Sequence, residues 1–262
     1  WQSSRASDIL ISFPGLNFVR FAVYNYATPD AYAPFIKTMT DAHVVVELED
    51  HTDSTGMNTG GSRGEAFTGD HLTAELNWYA DAARAYASNP YVWFGTNNEP
   101  PKEGLTAWQK ATYDAIRDTG NVNPILIEMP GGGWPGLDFR GYGLDDTVYR
   151  TMTNIVGDVH YYGWESGFST DQDAVNQVLS SLIQDTKTLQ SGSGTLPVIL
   201  GEYGPSTDGT SMDPNSAQSI RAAQQSTETA GAIAFAWHTE ADSLADDAGN
   251  LTDFGQAVAR YI

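Results

Sequence analysis

Two glutamates occupy an unusual place in this chain. Glu99 ends the apolar run Tyr-Val-Trp-Phe-Gly-Thr-Asn-Asn-Glu-Pro over residues 91–100, and Glu202 ends Leu-Pro-Val-Ile-Leu-Gly-Glu-Tyr-Gly over 196–204. Runs of that composition read as buried strands, and a carboxylate followed by a turn breaker is an odd way to close one. A barrel of parallel strands gathers all such exits on one face, so acids far apart in sequence can meet there. Two facing carboxylates are the minimum equipment for cleaving a glycosidic bond.

The neighbours of each acid suit that chemistry. Pro100 and Pro101 stop the strand after Glu99 and fix its exit. Asn98 can hydrogen-bond a sugar hydroxyl while Glu99 faces the scissile bond. Gly201 and Gly204 flank Glu202 and Tyr203, and glycine lets backbone and ligand approach closely. Each motif alone is equally a solvated strand end. Two at the same depth on different strands are harder to assign to chance.

The elements that must position these acids alternate along the chain. Short Val/Ile/Phe/Leu runs predict parallel strands over 17–25, 43–50, 91–99, 124–130, 154–162, 196–204 and 231–240. Amphipathic stretches predict helices near 4–12, 30–41, 70–88, 104–119, 145–153, 171–190, 213–229 and 251–262. Strand and helix repeated in this way mean an α/β fold with a parallel sheet covered by helices. The expected architecture is a (β/α)8 TIM barrel forming one catalytic domain over 1–262. Its first strand is expected to be missing from the chain or upstream of it, because only seven strands are readable. A doubly wound sheet is the structural rival, but no Gly-x-Gly-x-x-Gly follows the first strand. The longest connections, 51–69, 130–144, 163–170 and 205–212, all follow strands, which predicts a functional face at the strand exits.

Composition limits the partners. With 33 acidic and 13 basic residues, the formal net charge is −20, so nucleic acid and anionic membrane are excluded as partners for want of a basic footprint. A neutral polysaccharide is compatible, and 7 Trp with 13 Tyr suit a cleft that stacks on sugars. The chain has no cysteine, hence neither disulfide nor thiolate chemistry. No apolar run reaches membrane-helix length, and no signal peptide opens the chain. The expectation is a secreted bacterial monomer. The acid pairs at 171–173 and 246–247 read as helix-start and turn residues, so neither metal nor cofactor is expected.

Taken together, the motifs resemble clan A glycoside hydrolases, and most of all glycoside hydrolase family 5. In that family Asn-Glu-Pro ends the fourth strand and Gly-Glu-Phe/Tyr-Gly the seventh. The resemblance implies Glu99 as acid/base and Glu202 as nucleophile. It matches Arg20, in Leu-Asn-Phe-Val-Arg-Phe, to an arginine that holds the nucleophile. It matches His160 and Tyr162, in Asp-Val-His-Tyr-Tyr, to a His-x-Tyr pair, and Trp237, in Ala-Phe-Ala-Trp-His, to a tryptophan under the sugar. The match runs from the second family strand onward. One departure stands out: the third strand reads Val-Val-Val-Glu-Leu-Glu-Asp-His-Thr, with Glu49 where the family usually has histidine and His51 two residues on. His51 faces the same side as Glu49 and could substitute in part. That segment, and Ile-Glu-Met-Pro-Gly-Gly-Gly-Trp with Trp134 as a stacking platform, are loosely similar to bacterial β-mannanases.

The resemblance therefore implies a retaining glycoside hydrolase acting on a β-1,4-linked polysaccharide by double displacement. Mannan or glucomannan is slightly favoured over cellulose, and a catalytically inactive carbohydrate-binding barrel is the rival of another class. Glu99 is expected to start protonated in apolar surroundings beside Glu202, with the carboxyls roughly 5–5.5 Å apart.

Overall fold

The computed structural model describes residues 3–52, 66–130, 144–163, 169, 171–204, 220–222, 225, 229–237 and 243–262. Seven parallel strands form one sheet in chain order: β1 (Phe18–Val23), β2 (Val45–Asp50), β3 (Val92–Gly95), β4 (Ile125–Glu128), β5 (Ile155–Tyr161), β6 (Val198–Tyr203) and β7 (Ala232–Ala234). Strands β1 and β7 also approach each other, so the sheet is a nearly closed barrel. Outside it lie α1 (Ser3–Ser12), α2 (Ala33–Asp41), α3 (Gly69–Ala85), α4 (Leu105–Arg117), α5 (Asp146–Tyr149), α6 (Gln172–Lys187) and α7 (Asp253–Ala259). None of the described helices is long and apolar enough to cross a membrane.

Each of the seven expected runs contains one strand, shorter than its apolar stretch. Most of the helix expected over 213–229, and most of the four long connections, lie outside the described residues; residues 220–222 and 225 of that stretch are helical. A two-stranded antiparallel ladder, Gln190–Ser191 with Gly194–Thr195, was not legible in the sequence. Helix boundaries follow local chemistry. Pro34 sits in the first turn of α2, the Asp171 side chain accepts from the Asp173 and Ala174 N–H groups to cap α6, and Gly120, at φ 86°, takes the left-handed turn after α4.

The strands sort their side chains by alternation. On β2, Val46 and Leu48 join the apolar shell, whereas Glu47 and Glu49 face Arg20 of β1 inside the barrel. Two glycines make room for acids there. A Cβ on Gly95 would collide with the Glu47 carboxylate, and one on Gly201 with that of Asp158. Gly201 is also an extra residue in the β5–β6 ladder: Val159 pairs with Leu200, and His160 next pairs with Glu202. This bulge brings Glu202 level with His160.

Asp50 ends β2 on the opposite side, toward α3. Its carboxylate accepts from Tyr26 Oη (2.9 Å), Asn97 Nδ2 (3.0 Å) and Thr52 N–H (2.9 Å). Its carbonyl accepts from the Asn98 N–H at 2.8 Å, which ties the Asn98-Glu99 segment to β2. Glu75 of α3, which accepts from Trp108 Nε1 at 2.7 Å, completes a buried acid pair. Burial pushes the Asp50 carboxyl up to about 6, against the pull of its hydrogen bonds. Burial, and then the charge of Asp50, pushes Glu75 up as well.

Gly201→Ala should cost about 1–3 kcal/mol of stability by overpacking, measured by urea unfolding. At the acid pair, the folded state holds protons more tightly than the unfolded chain. That contribution is complete below the ordinary carboxylate range, near pH 4, and is lost as pH rises through about 6. Its loss is on the order of 3 kcal/mol by about pH 7. Glu75→Gln keeps an acceptor for Trp108 and turns a non-titrating donor toward Asp50, so its stability should fall less over this range. Identical pH profiles for the two proteins would contradict the assignment.

Candidate active site

The site is built around Arg20. Its guanidinium, 5% exposed, donates to Glu202 Oε2 at 2.7 Å, to Asn98 Oδ1 at 2.9 Å and to Glu128 Oε2 at 2.8 Å. Glu49 and Glu47 stand farther off, at 3.7 and 3.9 Å. One side chain from β1 thus joins acids on β2, β4 and β6 and the amide that follows β3. Burial would lower the Arg20 pKa, but Glu49, Glu128, Glu202 and Glu47 drive it well above its ordinary value, so the cation is permanent.

Glu202, near the end of β6, is held from both sides. Arg20 binds one carboxylate oxygen, and Tyr162 Oη donates to the other at 2.7 Å. Glu99 is held differently. Its backbone has φ 42°, in the left-handed region that costs a non-glycine residue about 1–2 kcal/mol. Its N–H donates to Glu128 Oε1 at 2.6 Å, and its side chain is 24% exposed. Carboxylate oxygens of Glu99 and Glu202 and a ring nitrogen of His160 all lie within 4.8 Å of one another. The two acids singled out in the sequence therefore share one pocket.

His160 is buried between them. Nδ1 lies 3.3 Å from Glu99 Oε1 and 3.9 Å from Glu202 Oε2, while Nε2 lies 3.3 Å from Glu128 Oε1. Burial would lower its pKa, but Glu128, Glu202 and Glu99 raise it to about 10. A carboxylate oxygen within 3.3 Å of each nitrogen favours the protonated ring. Among the described residues, two three-residue groups have the compactness of a metal site, Glu99–His160–Glu202 and Glu128–Asp158–His160. Both rely on His160, so a metal at either would have to displace a proton from that ring. The surroundings of Glu99 are therefore charged, not apolar as the sequence suggested.

The remaining expected site residues are distributed as follows. Asn98 is buried, its side-chain oxygen committed to Arg20. Glu49 faces Arg20 and binds His51 Nδ1 at 2.6 Å. Against burial, Arg20 and His51 hold the Glu49 carboxyl below its ordinary value. His51 packs edge-on to Tyr24 and parallel to Phe235, with centroids 4.8 and 6.4 Å away, so Glu49 and His51 work as one bonded unit. Trp237, just past β7, is half-buried with its ring edge-to-face to Phe13 at 6.3 Å. Trp134 lies outside the described residues.

Sequence reasoning missed three buried acids. Glu128 bridges Arg20, the Glu99 backbone and His160, and Glu47 and Asp158 lie in the same interior. A signal for Glu128 existed: Ile-Leu-Ile-Glu ends β4 as Glu99 and Glu202 end their runs.

Comparison with known proteins agrees with this geometry. The family described as Cellulase (glycosyl hydrolase family 5) matches residues 7–242. Endoglucanase EG-II of Hypocrea jecorina is 26% identical over 133 residues, 46% of this chain and 30% of that protein, so the match spans less than a third of the relative's length. Among solved structures, Thermotoga maritima Cel5A in complex with mannotriose gives a TM-score of 0.73 at 14% identity, covering 98% of this chain and 90% of that one. A β-mannanase from Streptomyces thermolilacinus gives 0.68 at 21% identity, covering 98% and 85%. At these identities the likeness shows a shared fold. The family match, which takes in both acids and nearly the whole barrel, establishes that this chain belongs to glycosyl hydrolase family 5.

Proposed function

We propose that this chain is an endo-acting, retaining hydrolase of β-1,4-linked polysaccharide, with Glu202 as nucleophile and Glu99 as acid/base. The observation that carries the reading is the approach of the Glu99 and Glu202 carboxylate oxygens to within 4.8 Å. Retaining enzymes keep their two carboxyls about 5–5.5 Å apart, whereas inverting enzymes separate them by about 6.5–9.5 Å to admit a water. In the first step a Glu202 oxygen attacks the anomeric carbon. The glycosidic bond breaks with its electron pair on the leaving oxygen, which takes the proton of Glu99. In the second step Glu99 takes a proton from water, the water oxygen bonds the anomeric carbon, and Glu202 is released. Arg20 and Tyr162 aim Glu202, and His160 faces Glu99. No cofactor enters this chemistry.

Mannan or glucomannan is the favoured substrate, on the sequence patterns after β2 and β4. A β-1,4-glucan is the second reading, supported by the fungal endoglucanase relative and the family's description. An acidic, cysteine-free chain suits a secreted, monomeric bacterial enzyme.

Reducing-sugar release should be greatest on mannan or glucomannan among these two, carboxymethylcellulose, xylan and β-1,3-glucan. Release from none of the five would overturn the proposal. Proton NMR of the first product formed should show the β-anomer; an initial α-anomer would mean inversion. Glu202→Gln should reduce kcat by more than about 1,000-fold while the thermal unfolding transition is retained. Comparable turnover in that variant would end the nucleophile assignment.

A further inference from the structure

Glu128 takes no part in the two displacement steps, yet it contacts Arg20, the Glu99 backbone and His160. Resting on the retaining-hydrolase reading above, we infer that Glu128 is a positioning residue for the acid/base: it fixes the backbone of Glu99 and pins His160 against the Glu99 carboxylate.

The carboxylate of Glu128 is 1% exposed. Oε1 accepts the Glu99 N–H at 2.6 Å and faces His160 Nε2 at 3.3 Å, while Oε2 accepts from Arg20 Nη2 at 2.8 Å. Burial raises the Glu128 carboxyl above its ordinary value, with His160 and Arg20 opposing, but every one of these partners is a donor, so a proton on Glu128 would find no acceptor among them. Glu128 is itself held at both backbone ends. Its N–H donates to Thr96 Oγ1 at 3.0 Å, and its carbonyl accepts from Gln109 Nε2 at 2.6 Å. The acid is thus a fixed anchor.

What it anchors is the acid/base. Glu99 lies in left-handed backbone, a conformation that persists where surrounding bonds over-determine it. The N–H bond to Glu128 is one such restraint, and it sets where the Glu99 side chain starts. The other nitrogen of His160 reaches Glu99 Oε1 at 3.3 Å, so the imidazole carries the position of Glu128 to the acid/base carboxylate. Glu202 does not depend on Glu128 in this way. Without Glu128 it keeps Arg20 and Tyr162, and Arg20 keeps Asn98, Glu49 and Glu47. Loss of Glu128 should therefore fall on proton transfer and spare nucleophilic attack.

Leaving-group dependence separates these outcomes. The phenolate of a 2,4-dinitrophenyl β-glycoside departs without a proton, whereas the leaving sugar of an oligosaccharide needs one, so kcat/KM on the two substrates reports attack without and with acid catalysis. The probes are 2,4-dinitrophenyl β-cellobioside with cellotetraose, or the matching manno compounds if the wild type prefers them. Glu128→Ala removes both side-chain hydrogen bonds. Glu128→Gln keeps an acceptor for the Glu99 N–H and loses the charge and one good bond to Arg20. In Glu128→Ala, kcat/KM on the tetrasaccharide should drop by about 100-fold and on the dinitrophenyl glycoside by less than about 5-fold. Its kcat on the dinitrophenyl substrate should rise when azide is added, since azide attacks the glycosyl-enzyme without a base. Glu128→Gln should lie between Glu128→Ala and the wild type, and Glu99→Ala should show the same pattern more strongly. Equal losses on both substrates, no loss on either, or failure of both Glu128 variants to fold would overturn the inference. A wild type inactive on every probe would instead overturn the hydrolase reading.

Discussion

One buried cation organises this barrel. Arg20 is nearly excluded from solvent and faces Glu47, Glu49, Glu128 and Glu202. Burying that many carboxylates is unfavourable unless each finds a partner, and removing one partner leaves the others exposed to the full penalty. Here the partners are shared: Arg20 serves acids from three strands, and His160 serves Glu99, Glu128 and Glu202. The cluster thereby ties β1, β2, β4, β5 and β6 together across the interior. Barrels of this kind usually fill that space with branched aliphatic layers. This one fills part of it with ionisable groups, and burial raises the carboxyls of Glu47, Glu128 and Asp158 above their ordinary values.

Backbone geometry makes the cluster possible. Charged side chains need volume, and Gly95 and Gly201 supply it where any Cβ would meet a carboxylate. Gly201 also carries the bulge that sets Glu202 opposite His160. The same residue thus creates the space beneath the site and the register of the acid above it. On the other side, the N–H of Asn98 bonds to the carbonyl of Asp50 and the N–H of Glu99 to Glu128. The two acids reach one pocket because their strands end in different, individually bonded irregularities.

The fold was largely legible because buried parallel strands advertise themselves as short apolar runs, and all seven appear where such runs stand. Glu99 and Glu202 were legible for the converse reason: charge at the end of such a run violates the pattern. The environment of Glu99 was not. Apolar surroundings followed from the neighbouring residues in sequence, but its true neighbours, His160 and Glu128, come from other strands. Glu128 obeys the strand-end rule, yet the aromatic, glycine-rich loop after it drew attention to Trp134 instead. Glu47 and Asp158 lie inside β2 and β5, where one sequence does not say which alternate set of side chains points inward. Pairing Glu49 with His51 needed only the period of a strand, and the structure bonds them directly.

The two acids differ in a way that fits the division of labour proposed for them. A nucleophile that forms and breaks a covalent bond gains from immobility, since small errors in approach are costly. Glu202 is 7% exposed, and each of its oxygens has a strong donor. An acid/base must exchange a proton with an incoming water, so it cannot be sealed in the same manner. Glu99 is 24% exposed; its N–H is bound by Glu128 and one carboxylate oxygen meets His160 at 3.3 Å. Exchanging the roles would place the more open group at the anomeric carbon and the enclosed one where water must arrive. The asymmetry of restraint, more than the identity of the residues, is what distinguishes two otherwise equivalent glutamates.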